Sequence, residues 1–334
     1  MRVLVIGGTG NISREIVRAL VERGDEVVVF NRGRHRDRDC VPPGVRTIHG
    51  DRRDRADFEA KCRSLSVDAV VDMISFTEED AASAVRAFAG RIAHFVHCST
   101  VMTYGPPIRR LFADESHPLE ARTPYGQNKI RADALLMREW EANGFPVTIL
   151  KPSYTFGPGI MLHRQIGDDG PWIDRLRKGK PMLSAGDGNG LFQFLASEDA
   201  GRAFAAVLLR PACVGQIYNL PHPEPISWDQ WHRYAMEAVG REVEIVHAPQ
   251  ALLMRIDARY AGLAQNFGHH AVFSAAKFMR DVPEWRPRVS WVDGIQRNIE
   301  WMERHGLITD SDQDDLEDRI VAELKTLPER LQRT

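Results

Sequence analysis

The chain has 334 residues, 43% of them hydrophobic, with 44 Lys and Arg against 46 Asp and Glu for a formal charge of −2. That length calls for one large domain or two sharing an interface, and the near-neutral charge gives no electrostatic case for nucleic acid or an anionic membrane. No apolar run approaches the ~20 residues of a membrane span. The strand-like run Arg2–Ile6 leaves no room for a signal peptide, and Cys40, Cys62, Cys98 and Cys213 show neither close pairs nor metal-type spacing. A cytoplasmic protein with free thiols and no metal site is expected, the twelve histidines also lacking ligand spacing.

In chain order, Val3–Ile6, Glu26–Phe30, Val45–His49, Ala69–Met73, His94–Cys98 and Val147–Lys151 read as strands. Between them Ile12–Arg23, Arg55–Leu65, Thr77–Gly90 and Pro124–Asn143 read as helices, with Gly24, Gly90 and Gly144 at C-terminal cap positions. Continuous Val/Ile/Leu runs alternating with helices predict an α/β fold built on a doubly wound parallel sheet of the Rossmann type. After Pro152 come loop-forming clusters such as Gly157-Pro-Gly159 and Gly186-Asp-Gly-Asn-Gly190. They alternate with strands at Gly215–Leu220 and Val243–Val246 and helices at Pro171–Lys178, Glu198–Leu209 and Ser227–Ala238. The predicted organisation is a dinucleotide-binding and catalytic domain over 1–152, its sheet completed by later segments, and a smaller C-terminal α/β substrate-binding lobe over 153–308. A charged tail over 309–334 follows, helical at Asp312–Leu331.

Gly7-Gly8-Thr9-Gly10-Asn11-Ile12-Ser13 follows the first strand and opens a helix. Glycines let a backbone approach a pyrophosphate, and a helix N-terminus supplies free N–H donors. Gly7, Thr9, Gly10, Asn11 and Ile12 are therefore candidate cofactor residues, with Ser13 where a third glycine is usual. The second strand ends in Asn31-Arg32, with Arg34 nearby, where an acid would select NAD by accepting both ribose hydroxyls. Losing the acid and gaining arginines leans towards NADP(H), although Arg32 could equally stack on adenine in an NAD site. The basic run Arg32–Arg38 is either a solvated loop or a phosphate-facing one, and its position favours the second. Asp51 and Arg52, after the third strand, are further candidate cofactor residues, Asp51 being either an acceptor for the adenine amino group or a surface-turn aspartate.

Tyr125-Gly-Gln-Asn-Lys129 puts a phenol and an ammonium four residues apart on one helix face. A nearby cation favours the phenolate and is expected to pull a pKa of ~10 towards neutrality. Thr100, just after a buried strand, adds a hydroxyl; either it bonds its own backbone or it joins the chemistry, with Ser99 as its rival.

These pieces together resemble the extended short-chain dehydrogenase/reductases of the NAD-dependent epimerase/dehydratase family. The resemblance runs from Gly7 to about Trp301 and includes Ser99-Thr100-Val-Met-Thr-Tyr104-Gly105, Lys151-Pro-Ser-Tyr-Thr-Phe-Gly157-Pro158 and Phe194-Leu-Ala-Ser-Glu-Asp199. It implies Tyr125 as general base and acid, Lys129 holding the nicotinamide ribose and depressing the Tyr125 pKa, and Thr100 orienting the substrate oxygen. It also implies that Met73, Ile74, Ser75, Pro152, Ser153 and Tyr154 line the cofactor, and that a homodimer forms through the helices of Thr77–Gly90 and Pro124–Asn143.

Departures narrow the chemistry. Dehydratases of this kind carry an Asp-Glu pair after the catalytic threonine, where this chain has Val101 and Met102. Tyr154 stands where the sugar-nucleotide epimerases have asparagine, and Phe192 where they tend to have an arginine for the diphosphate. The expected substrate is a nucleoside, a free or monophosphorylated sugar or another polyol, met by Phe76, Thr100, Tyr154, His163, Gln193 and His269; for the histidines, packing is the favoured role. The first expectation is an NAD(P)-dependent epimerase working through a transient ketone. The alternative is an NADPH-dependent ketoreductase on a small carbonyl substrate. Val-Phe-Asn31-Arg-Gly33 also resembles a branch containing chloroplast stem-loop RNA-binding proteins, which supplies a non-enzymatic third reading, opposed by the intact Thr100, Tyr125 and Lys129.

Overall fold

The computed structural model describes residues 1–34, 41–167 and 170–332. Cys40 and the part of the basic run beyond Arg34 lie outside the described residues. The first half runs β1 (Arg2–Ile6), α1 (Asn11–Glu22), β2 (Glu26–Asn31), β3 (Arg46–His49), α2 (Arg55–Arg63), β4 (Ala69–Asp72), α3 (Glu78–Phe88), β5 (His94–Cys98), α4 (Pro124–Asn143) and β6 (Val147–Pro152). The second half adds β7 (Tyr154–Phe156), α5 (Pro171–Lys178), β8 (Met182–Ala185), β9 (Leu191–Phe192), β10 (Phe194–Ala196), α6 (Ser197–Val207), β11 (Gln216–Leu220), β12 (Ile226–Ser227) and α7 (Trp228–Val239). It ends with β13 (Ile245–Ala248), α8 (Gln250–Ile256), α9 (Ala276–Asp281), α10 (Trp291–Arg304) and α11 (Leu316–Gln332).

Seven parallel strands form the central sheet in the order β3-β2-β1-β4-β5-β6-β11. The order reverses beside β1, and that switch point opens a crevice at the carboxyl ends of β1 and β4. Leu4, Val28, Val70 and Phe95 pack under the helices of one face, and Val3, Val5, Val29 and Val71 under those of the other. Burial on both sides is why these strands are uninterrupted apolar runs. The chain returns to this sheet after the lobe begins: β11 pairs with β6, and α6 lies on α1. A Cβ at Gly201 would sit 2.6 Å from the Glu15 backbone, so α6 packs this closely only with glycine there.

The helices that carry the site have defined starts. Thr77 caps α3 in a reciprocal arrangement with Asp80, and Thr123 caps α4 with Pro124 at its first position. Gly144, at φ 68, ends α4 in a left-handed cap.

The lobe is built around aromatic rings rather than a large sheet. Phe194 stacks on Trp231 at 3.9 Å between centroids, with Phe156, Phe192 and Trp228 around them. Three two-stranded pairings, β7 with β10, β9 with β12 and β8 with β13, tie its segments together. The tail helix begins at Leu316 rather than Asp312, since Ser311–Gln313 forms a separate 3-10 turn. Ile320 and Val321 of α11 are buried with Leu183 and Leu263, and Glu317 pairs with Arg164 and Arg175. No helix among the described residues is long and apolar enough to cross a membrane.

Candidate active site

Two cavities lie at the carboxyl end of the sheet, one of about 530 Å³ over the glycine turn and one of about 360 Å³ under the lobe. Gly7 and Thr9 line the first. Gly8 has φ +66, and a Cβ there would lie 2.4 Å from Val29, so the turn requires glycine on both counts. Ser13, in the place of a third glycine, accepts the Gly10 N–H at 2.8 Å and caps α1. Ile12 packs against the core behind the turn. The Asn11 side chain is committed elsewhere, donating to the Gly157 and Pro158 carbonyls and accepting from Thr155. It fastens the turn to β7, leaving only the backbone of Asn11 for a ligand.

At the end of β2 the Asn31 side chain accepts the Gly33 N–H at 2.8 Å, and no carboxylate stands in the β2 position. Arg32 and Arg34 are exposed on the cleft wall and make no hydrogen bond or close ion pair among the described residues, Arg32 acting on the Asp51 carboxylate only through space. Asp51 also lines the cleft, with Arg53 holding its carboxyl below the usual carboxylate range. Arg52 lines the cleft as well, with its head group largely committed. It is 5% exposed, its guanidinium donates to both Asp72 oxygens at 2.8 Å and to the Asp80 carbonyl, and it welds β3 to β4. Those bonds make it a brace for the cleft wall. Of the β4 segment, Ile74 lines the cleft, Met73 packs beside Gly7, and Ser75 is buried with its carbonyl accepting from Lys129. Pro152 is buried in register with Leu220 inside the sheet, so it lies away from the cavity wall. The turn, the open helix end, the free arginines and the shape of the cleft fit a dinucleotide.

Tyr125, in the first turn of α4, lines the smaller cavity, its ring 6.4 Å from that of Phe76 on the wall of the larger one. Thr100 caps a 3-10 turn over Val101–Thr103, accepts the Met102 N–H at 3.2 Å, and lines the same cavity as Tyr125. Its rival is spoken for, since Ser99 donates to buried Asp133 at 2.7 Å. Lys129 behaves differently from expectation. Its ammonium is 1% exposed and donates to the Ser75 and Cys98 carbonyls at 2.7 and 2.6 Å, 5.9 Å from the Tyr125 ring centre. Tyr125 as a whole is 42% exposed, yet desolvation where its phenol packs pushes its pKa up, the Cys98 thiol adds to this, and the neighbouring Thr100 hydroxyl opposes it. The expected depression by Lys129 is therefore absent, because two carbonyls hold the cation and desolvation outweighs it.

The smaller cavity is walled by Met102, Ile108, Ile160, Phe192 and Phe273, and no Lys or Arg lines it among the described residues. Tyr154 forms part of this wall rather than of the dinucleotide cleft, with its hydroxyl closed to solvent and without a partner. His163 stands behind it, ring to ring at 4.8 Å, and does not reach the cavity. Gln193 lines the cavity with its amide fully used, donating to His222 and Phe273 carbonyls and accepting the Phe273 N–H. Phe76 lies on the dinucleotide side, and His269 bonds the Ala264 carbonyl outside the cavity.

A family model described as the NAD dependent epimerase/dehydratase family matches residues 3–220. The chain belongs to that family. It is an enzyme of the extended short-chain dehydrogenase/reductase type. It is 28% identical over 340 residues to the 2'-dehydrokanamycin reductase of Streptomyces kanamyceticus, covering 99% of this chain and 91% of the relative. It is 24% identical over 335 residues to human dTDP-D-glucose 4,6-dehydratase, covering 90% and 89% respectively. In fold it resembles the NAD-complexed UDP-glucose 4-epimerase of Thermus thermophilus, at TM-score 0.71 and 23% identity over 91% of this chain and 99% of that one.

Two features of this family member escaped sequence reasoning. Asp133 follows Lys129 by one turn on the same face of α4, so the i,i+4 spacing that linked Tyr125 to Lys129 could have found it. Asn266 also lines the smaller cavity, from a π-helical turn over Leu263–Phe267 that no local sequence pattern announces.

Proposed function

We propose that this enzyme is an NADP(H)-dependent ketoreductase that interconverts a carbonyl and a secondary alcohol on a sugar-like substrate lacking a nucleoside diphosphate. The observation that carries the reading is the placement of Tyr125 and Thr100 on one cavity that no Lys or Arg lines among the described residues, with Phe76 of the dinucleotide cleft 6.4 Å away ring to ring. Gly7, Gly8 and the start of α1 would hold the pyrophosphate, and Arg32 with Arg34 the 2′-phosphate. When bound, the nicotinamide supplies the hydride to the carbonyl carbon. Tyr125 gives its proton to the carbonyl oxygen as that oxygen gains charge, and the phenolate recovers a proton from solvent. Thr100 keeps that oxygen beside the phenol, since one hydroxyl can bond both. Lys129, clamped by two carbonyls, fixes the face of α4 that presents Tyr125. A protonated phenol is the form that reduction uses first, and the full-length similarity to a reductase supports the same direction.

Val101 and Met102 after Thr100 supply no carboxylate for eliminating water, which argues against dehydration despite the similar dehydratase. Epimerisation is the second reading, favoured by the resemblance to an epimerase fold and by a Thr–Tyr pair able to take the proton back. The test is Tyr125→Phe. Reduction of a keto-sugar panel should fall by roughly 10²–10⁴-fold while NADPH still binds. Undiminished reduction in the variant would remove Tyr125 from the chemistry.

A further inference from the structure

Beyond the catalytic pair, the polar side chains lining the smaller cavity can be sorted by whether their hydrogen-bonding capacity is spent. Ser153 donates to the Gln193 carbonyl at 3.2 Å, and Thr155 to Asn11 at 2.9 Å. Gln193 uses its amide three times. The Tyr154 hydroxyl is shut from solvent. Tyr154 and Asn266 remain, and only Asn266 is open to a ligand: it is half-buried on the cavity wall, its side-chain amide making no hydrogen bond among the described residues, whereas the unpartnered Tyr154 hydroxyl is closed off.

Its backbone is held firmly. Gln165, 2% exposed, donates to the Phe267 carbonyl at 3.4 Å, and Gln250 to the Gly268 carbonyl at 3.0 Å. Leu263 anchors the other end of the turn at 1% exposure. A single π turn braced in this way is a common means of re-aiming one side chain at a functional site. The amide offers both a donor and an acceptor, the combination that a hydroxyl satisfies. The surrounding wall of Met102, Ile160, Phe192 and Phe273 suits the C–H face of a ring, and it supplies nothing to pair with a diphosphate.

We propose that Asn266 is a substrate-binding residue that selects an uncharged, hydroxyl-bearing ring, gripping a hydroxyl away from the reacting carbon. The proposal rests on reading this cavity as the substrate site of the ketoreductase, and binding can be measured separately from turnover. With the full-length protein saturated in NADP⁺, saturation-transfer NMR should detect methyl β-D-glucopyranoside or myo-inositol, and not UDP. In Asn266→Ala the bound polyol should weaken roughly tenfold, the loss of one to two neutral hydrogen bonds, with NADP⁺ affinity and unfolding temperature unchanged as the check on folding. Polyol binding that depends on Asn266 in a protein that reduces no ketone would support this assignment while removing the ketoreductase reading. Equal polyol binding by wild type and variant, binding of UDP alone, or no binding of either polyol would overturn it.

Discussion

Removing the Asp133 carboxylate should destabilise the protein far more than a typical surface change. Asp133 is 3% exposed, accepts the Ser99 hydroxyl at 2.7 Å, and lies 3.3 Å from the Lys151 ammonium, itself 2% exposed. Lys151 also donates to Thr103, which donates in turn to the Thr100 carbonyl, so the pair supports the turn that presents Thr100. Asp133→Ala strands a buried ammonium, and breaking such pairs costs about 3–5 kcal/mol. At an unfolding entropy of ~2.1 cal/mol/K per residue, 334 residues give on the order of 0.7 kcal/mol/K, so Tm should drop by about 6 °C. Replacing both partners, Asp133→Leu with Lys151→Met, should recover most of that loss. Burial alone would raise the Asp133 pKa, but the His97 contact, Lys151 and Ser99 outweigh it and the net shift is downward. Its stabilisation is thus complete above the ordinary unfolded value of ~3.9 and is lost as pH falls through the depressed folded value. Scanning calorimetry of the three proteins at neutral pH and in acid measures both effects. A drop below about 1 °C for the single variant, or a double variant no better than the single, would refute the reasoning.

The other expectations concern cofactor, pH and assembly. Arg32→Ala with Arg34→Ala should weaken NADPH by about tenfold, each exposed contact being worth less than a buried charge-assisted bond, and leave NADH unchanged. Equal losses for both nucleotides in a fluorescence titration would remove the 2′-phosphate assignment. Because the Tyr125 phenol is held up, carbonyl reduction should stay flat from about pH 6 to about pH 9, while alcohol oxidation, which needs the phenolate, should climb across that range. A reduction rate that falls with a midpoint near pH 7 would contradict this. Light scattering at micromolar concentration should return twice the chain mass if α3 and α4 pair with a second copy, and a monomer would end that proposal.

The parallel sheet was legible because its strands are buried on both faces and are therefore plain apolar runs between capped helices. Thr100, Tyr125 and Lys129 were legible as a group because helical spacing and strand ends place them with few free parameters. What those residues do to one another was not. Whether Lys129 faces a phenol or two carbonyls depends on the backbone of Ser75 and Cys98, which no spacing encodes. Arg52 was legible as a cleft residue by position, but its pairing with Asp72 on another strand was not. In the lobe, β7 to β10 are two or three residues long or paired across long loops, too short for any periodicity to show. Asn266 was out of reach for a related reason: its proposed role comes from Ser153, Thr155 and Gln193 having found partners and the Tyr154 hydroxyl being closed off, which only the folded chain reveals.

A ketoreductase consumes its cofactor from solution, whereas an epimerase returns the hydride it takes. The direct measurement is the ratio of NADPH oxidised to product formed, followed by absorbance and product mass on a keto-sugar panel. One NADPH oxidised for each alcohol formed, with none formed when NADPH is withheld, is the predicted result. Conversion of an alcohol to its stereoisomer with no net change in added cofactor would contradict it and establish the epimerase instead.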